Sequence, residues 1–136
     1  MSKGNATEND TLNAIVRGVD PSWRANANRY IALHTADPGE GGSQTTNECA
    51  YGGYARVAVT AATGFTAASG GQLENADLIA FDECTSGSET IRYVSIGTAL
   101  SGAGQILYSG ALTANRDVSS GITPQFAAGA LVAQED

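Results

Sequence analysis

One histidine, His34, two cysteines, Cys49 and Cys84, and a single lysine, Lys3, are the residues best suited to acid–base or nucleophilic chemistry. His34 sits in a β-rich run, Tyr30 to Thr35, and shares its parity with Tyr30 and Ala32. A general base needs a partner held within hydrogen-bond reach, and none is visible beside it, so His34 reads as a structural histidine. The cysteines form no C-x-x-C pair and no His cluster accompanies them, whereas a zinc site needs about four N or S ligands; they read as two buried free thiols. Lys3 lies in an N-terminus expected to be mobile, a poor place for a Schiff base. Asp82, Glu83 and Glu89 cluster, as do Asp37 and Glu40, and oxygen ligands on a turn can hold calcium. Neither cluster follows the D-x-[DN]-x-[DN]-G loop, so both read as solvated acidic loops. There is no G-x-S-x-G elbow, P-loop or G-x-G-x-x-G. The expectation is a protein that is not an enzyme, with no catalytic residue, no metal and no cofactor.

Charge narrows the partners. Fourteen carboxylates face seven cations, for a net charge of −7. Nucleic-acid binding calls for clustered Lys and Arg, so no nucleic acid is expected. No apolar run approaches the roughly 20 residues that span a bilayer, and the start has no apolar h-region. The reading is no membrane and synthesis in a reducing cytoplasm. Only 15% of residues are charged while 42% are hydrophobic, which leaves much surface that is readily desolvated, as interfaces require.

The elements that position these residues follow from periodicity. Leu12, Ile15, Val16 and Val19 fall at i, i+3, i+4 and i+7, predicting a helix over residues 7–19. Thr7 or Asp10 would cap its start, and Gly18 followed by Asp20-Pro21 would end it. Its apolar stripe lies either on the domain's own core or on a neighbouring subunit. The sequence then becomes strand-like. Candidate strands run from Tyr30 to Thr35, Tyr54 to Thr60, Leu73 to Phe81, Ile91 to Ile96, Gln105 to Leu112 and Pro124 to Ala133, with a short edge strand at Val118. A long polar loop fills residues 36–52. About seven short strands with turn signals between them predict a mainly β fold, an antiparallel β-sandwich or barrel of jelly-roll type with one short N-terminal helix. Residues 1–27 would be an arm and 28–136 one β domain.

Aromatics and arginines, the residues that carry interfaces, gather in the first half. Leu12, Ile15, Val16, Trp23, Arg24, Tyr51, Tyr54 and Arg56 are the interface candidates. Arg56 either pairs with Asp37 or Glu48, pinning the long loop, or faces solvent.

Three segments together resemble a known family: Tyr30 to Pro38 with its T-A-D-P turn, Gly52-Gly53-Tyr54-Ala55-Arg56-Val57-Ala58-Val59, and the closing runs Ile106 to Leu112 and Phe126 to Leu131. The pattern is similar to small structural proteins of tailed bacteriophages, labelled tail fibre or head decoration proteins. The resemblance implies a virion component without catalytic residues. A capsid decoration (cement) protein stabilising the head lattice is the first reading. A tail, collar or tail-fibre component is the alternative, and a carbohydrate-binding module the second. The implied partners are copies of itself, as a homo-oligomer and most naturally a trimer on local threefold positions, and other virion proteins such as the major capsid protein.

Overall fold

Strand β2, Asn28–His34, and strand β6, Glu89–Gly97, form the centre of the fold. Their β-branched and aromatic residues suit a pleated, buried surface. They pair antiparallel with Ile31 opposite Ile96 and Leu33 opposite Val94. The computed structural model describes residues 1–135. Around this pair, β1 (Ser2–Lys3), β3 (Val57–Thr60) and β7 (Ile106–Val118) complete a five-stranded antiparallel sheet in the order β1-β7-β6-β2-β3.

Two further sheets of two strands each are formed by β4 (Gln72–Glu74) with β9 (Val132–Gln134), and by β5 (Ile79–Ala80) with β8 (Gln125–Phe126). Ile31, Leu33, Val94 and Ile96 pack in one core with Ile79, Phe81, Leu131 and Ala133 from this second layer. The expected mainly β, antiparallel architecture is therefore present as a layered sandwich, and no closed barrel forms among the described residues. Among the described residues there is one α-helix, α1, Asn5–Arg17, and a short 3-10 turn, Ser22–Ala25.

The opposite face of the large sheet is also closed. Ala32, His34, Ser95 and Ser109 are buried there, on the parity opposite the core residues. The Thr46 carbonyl lies against this face, 2.9 Å from His34 Nδ1, and residues 47–49 run along the edge of β2, with the Cys49 N–H on the Leu33 carbonyl at 2.8 Å. This loop is therefore held in place.

Several boundaries differ from the periodicity reading, each for a local reason. The run Leu73 to Phe81 is two strands, because Asn75 between them is fully buried and bonds in three directions. Its amide donates to the carbonyls of Asp77 (2.8 Å) and Ala127 (2.9 Å) and accepts the Leu131 N–H (2.8 Å). The run Pro124 to Ala133 also splits, at a turn from Ala127 to Ala130 that places Gly129 at φ 78°. Val118 is the buried end of β7 and not a separate edge strand. The stretch expected from Tyr54 is a strand only from Val57, since Gly53 at φ 93° and the Tyr54 N–H to Tyr51 carbonyl bond form a turn first. Nine strands result among the described residues, where about seven were expected.

Candidate interaction surface

The helix starts at Asn5, two residues earlier than its pattern suggests. Gly4 takes the cap position with extended backbone and no side-chain cap. A Cβ there would stand 2.6 Å from the Ile106 carbonyl oxygen, so only glycine fits. The residues expected to cap the helix do other work. Thr7 Oγ1 donates to the Ile106 carbonyl at 2.7 Å. Asp10 accepts from Trp23 Nε1 at 2.7 Å and from Gln105 Nε2 at 2.9 Å. Gly18 ends the helix at φ 67°, and the Val19 N–H closes back on the Asn13 carbonyl, a Schellman-type stop.

These bonds set the rotation of α1. Its domain-facing side is polar, made by Thr7, Asp10 and Thr11. Its apolar stripe points outward: Leu12 is 62% exposed, Ile15 77%, Val16 76% and Val19 51%. A surface helix normally turns its apolar stripe to the core. Here the polarity is inverted, leaving an apolar ridge in solvent. Beside the ridge lies a groove of about 530 Å³, lined by Trp23, Phe65, Leu73 and Leu107 with Ala61 and Ala67. Trp23 is half-buried, with the Arg29 guanidinium 5.4 Å from its ring centroid, a cation–π contact. Arg24 is exposed and pairs with Asp20.

Lys3, expected in a mobile terminus, is in β1 and bonds Glu135 at 2.7 Å. Glu135 also accepts from the Tyr108 hydroxyl. Burial would raise the Glu135 carboxyl, but these two donors outweigh it and hold the group below its ordinary value. The segments at both ends of the chain are thereby tied to one point on β7.

Tyr51, Tyr54 and Arg56, the other interface candidates, turn inward. Arg56 is buried and forms a two-pronged pair with Glu48, Nε to Oε1 at 2.7 Å and Nη2 to Oε2 at 2.8 Å. It also donates to the carbonyls of Ala99 (2.9 Å) and Gly102 (2.7 Å). The Tyr54 hydroxyl donates to Glu48 Oε1 at 2.8 Å and accepts the Leu33 N–H at 3.1 Å. Gln44, fully buried, joins the same region by donating to the Tyr30 carbonyl and accepting the Ala99 N–H. This network clamps residues 36–52 onto the sheet. Tyr51 belongs to the core, and burial pushes its phenol up to about 12. Burial and the nearby Glu89 carboxylate likewise push the Cys49 thiol up.

His34 is fully buried between Ser95 Oγ on Nε2 (2.8 Å) and the Thr46 carbonyl on Nδ1 (2.9 Å). A carbonyl only accepts, so Nδ1 carries the proton and Nε2 accepts from Ser95. Both members of this Ser–His contact are closed to solvent. Cys84 is buried elsewhere in the core, with its thiol donating to the Ser86 carbonyl.

A family described as podophage GP4 fiber I protein gp80 matches residues 2–134. The chain belongs to this family. The match spans nearly the whole sequence, covering the ridge, the groove and the clamp, and makes the chain a phage structural protein of the fibre type. No curated protein matches it. The fibre assignment corresponds to the alternative reading of the sequence and not to head decoration. Inversion of the α1 stripe was not readable from spacing alone, because i, i+3, i+4, i+7 spacing gives a face and not its direction. The polar set Thr7, Asp10 and Thr11 on the other side was the available signal.

Proposed function

We propose that the chain is a non-enzymatic structural component of a phage tail fibre, carried in the virion, and that it joins neighbouring virion proteins through the outward face of α1. One observation supports this most directly: three large apolar side chains of α1 and Val19 just past its end are each more than half exposed, on a helix whose polar side faces its own domain. Contiguous exposed apolar surface marks a protein–protein site. The fibre family supports the tail reading over head decoration. The threefold seat expected for a trimer came from the head lattice, so it loses its motive with that reading. Partners remain other virion proteins and further copies of the chain.

The test is incorporation. A phage carrying Ile15→Asp and Val16→Asp should assemble particles that lack this protein, while the purified variant keeps the circular dichroism of the parent. Particles that retain the variant at full occupancy would refute the assignment of this face.

A further inference from the structure

We infer that the groove beside α1 is a recognition site for a carboxylate carried on an apolar peptide segment of a neighbouring virion protein, and that Arg29 grips the carboxylate. The inference rests on the reading of the chain as a part that joins other virion proteins. It assigns to the groove, separately from the ridge, the chemistry of the segment it takes.

Arg29 is fixed in place but leaves one edge open. Its Nη1 donates to the carbonyls of Asn26 and Asn28, each at 3.1 Å, and to that of Trp23 at 3.4 Å. Its guanidinium also lies against the Trp23 ring, so the fork is oriented before any partner arrives. Among the described residues, Nε and Nη2 have no hydrogen-bond partner and no carboxylate pairs with the side chain. No side-chain nitrogen or oxygen among them is both buried and unpartnered, so these two nitrogens reach open space. Arg29 lines the groove.

Arg56 shows what this edge does in the same protein. Its Nη1 likewise donates to a backbone carbonyl, that of Ala99 at 2.9 Å, while Nε and Nη2 take the two oxygens of Glu48. Arg29 presents the same edge without an acid on it, and a carboxylate matches that edge with two parallel bonds. Glu135 also lines the groove, but Lys3 and the Tyr108 hydroxyl already engage it. Burial lowers the Arg29 pKa below its ordinary value. A guanidinium in that state has already lost part of its water, so less hydration remains to be stripped when a carboxylate binds.

The rest of the groove sets what carries the acid. Phe65, Leu73, Ile96 and Leu107, with Ala61 and Ala67, line about 530 Å³, inside the roughly 300–1,000 Å³ of ligand sites. Walls of this kind favour apolar groups around one placed charge. The groove borders α1 through Thr7 and Thr11, and Thr11 lies one helical turn before Ile15 on the ridge. A protein segment seated on the ridge can therefore run into the groove without a break.

Trp23 is the single tryptophan of the sequence and lines the groove, so its fluorescence reports occupancy of the full chain without a label. The probe is the peptide acetyl-Ala-Leu-Glu-Leu-Ala-amide, and its twin carries Gln in place of Glu. The Glu peptide should shift the emission saturably with a Kd below about 1 mM, and the Gln peptide should bind about tenfold more weakly, the scale of hydrogen bonds to a charge. Arg29→Met should abolish the difference between the peptides and Arg29→Lys should keep only part of it, with circular dichroism unchanged. If Arg29→Met does not fold, the two peptides on the parent decide alone. Ile15→Asp with Val16→Asp, which removes the ridge, should leave the peptide affinity unchanged. No saturable response up to about 10 mM, or equal affinities of the parent for the two peptides, would overturn the inference. Hexanoate binding as tightly as the Glu peptide would overturn the peptide as occupant and leave a site for small carboxylates. A ridge variant that stays in virions while the parent binds the Glu peptide would refute α1 as the attachment face and leave the groove assignment standing.

Discussion

Arg56 and Glu48 face each other across the turn at Gly52-Gly53 and meet in a two-pronged ion pair, 2.7 Å and 2.8 Å, that fastens residues 36–52 to the sheet. The arginine side chain is almost wholly enclosed, and its remaining protons satisfy the Ala99 and Gly102 carbonyls. Arg56→Met should therefore cost about 3–5 kcal/mol, because it leaves the mostly enclosed Glu48 carboxylate without its guanidinium partner. Arg56→Lys should recover only part of this, since an ammonium cannot reproduce the planar fork. Urea denaturation measures both; a loss below about 1 kcal/mol for Arg56→Met, the level of a surface pair, would contradict the clamp.

Gly97 is the second half of the same device. A Cβ on it would stand 2.1 Å from Gln44 Cδ. Gly97→Ala should cost about 1–3 kcal/mol as overpacking. Shortening the neighbour by Gln44→Ala removes the obstruction, so the double variant should be less destabilised than the sum of the two single changes. Strict additivity in a double-mutant cycle would mean that the two residues do not compete for the same space.

How much of this was legible in the sequence depended on whether one residue type allowed one partner. The runs around Ile31, Val94 and Leu107 read correctly as strands because β-branched, aromatic and other apolar residues fill short stretches bounded by turn signals. Asn75 interrupts a strand-like run through three hydrogen bonds to residues that lie near or more than fifty positions away, and nothing local announces those distant partners. Arg56 was readable as a clamp with two alternatives; Glu48 takes it, while Asp37 is occupied in its own turn, accepting the Gly39 N–H at 2.8 Å. The helix start was missed because the approach of Gly4 to Ile106 joins residues a hundred positions apart. For the surface, spacing located Leu12, Ile15 and Val16 but could not tell which way they pointed.

The two thiols give an independent check of the core. Cys49 and Cys84 are both buried and unpaired, and burial with Glu89 nearby disfavours the Cys49 thiolate. The thiolate is the reactive form. An aromatic disulfide reagent should leave both untouched in the native protein and label both in denaturant. Rapid labelling of either thiol without denaturant would show that the region around Glu89 opens readily.

His34 makes stability depend on pH in a defined window. Burial lowers its pKa below the ordinary 6.5, outweighing the contributions of the Thr46 carbonyl and the nearby carboxylates. Protonation would also turn Nε2 into a donor and break its acceptance of the Ser95 hydroxyl. Above pH 6.5 the folded and unfolded chains are both neutral at this residue, and the full stability is present. Below it the unfolded chain takes up a proton that the folded chain resists, so stability falls with pH until the folded pKa is reached. The melting temperature of the parent should therefore decline from about pH 7 towards pH 5, above the range in which ordinary carboxylates titrate. His34→Gln, whatever its stability at neutral pH, should show a flatter profile across that interval. Parallel profiles for the two proteins would place the acid sensitivity on other groups and remove the buried imidazole as its source.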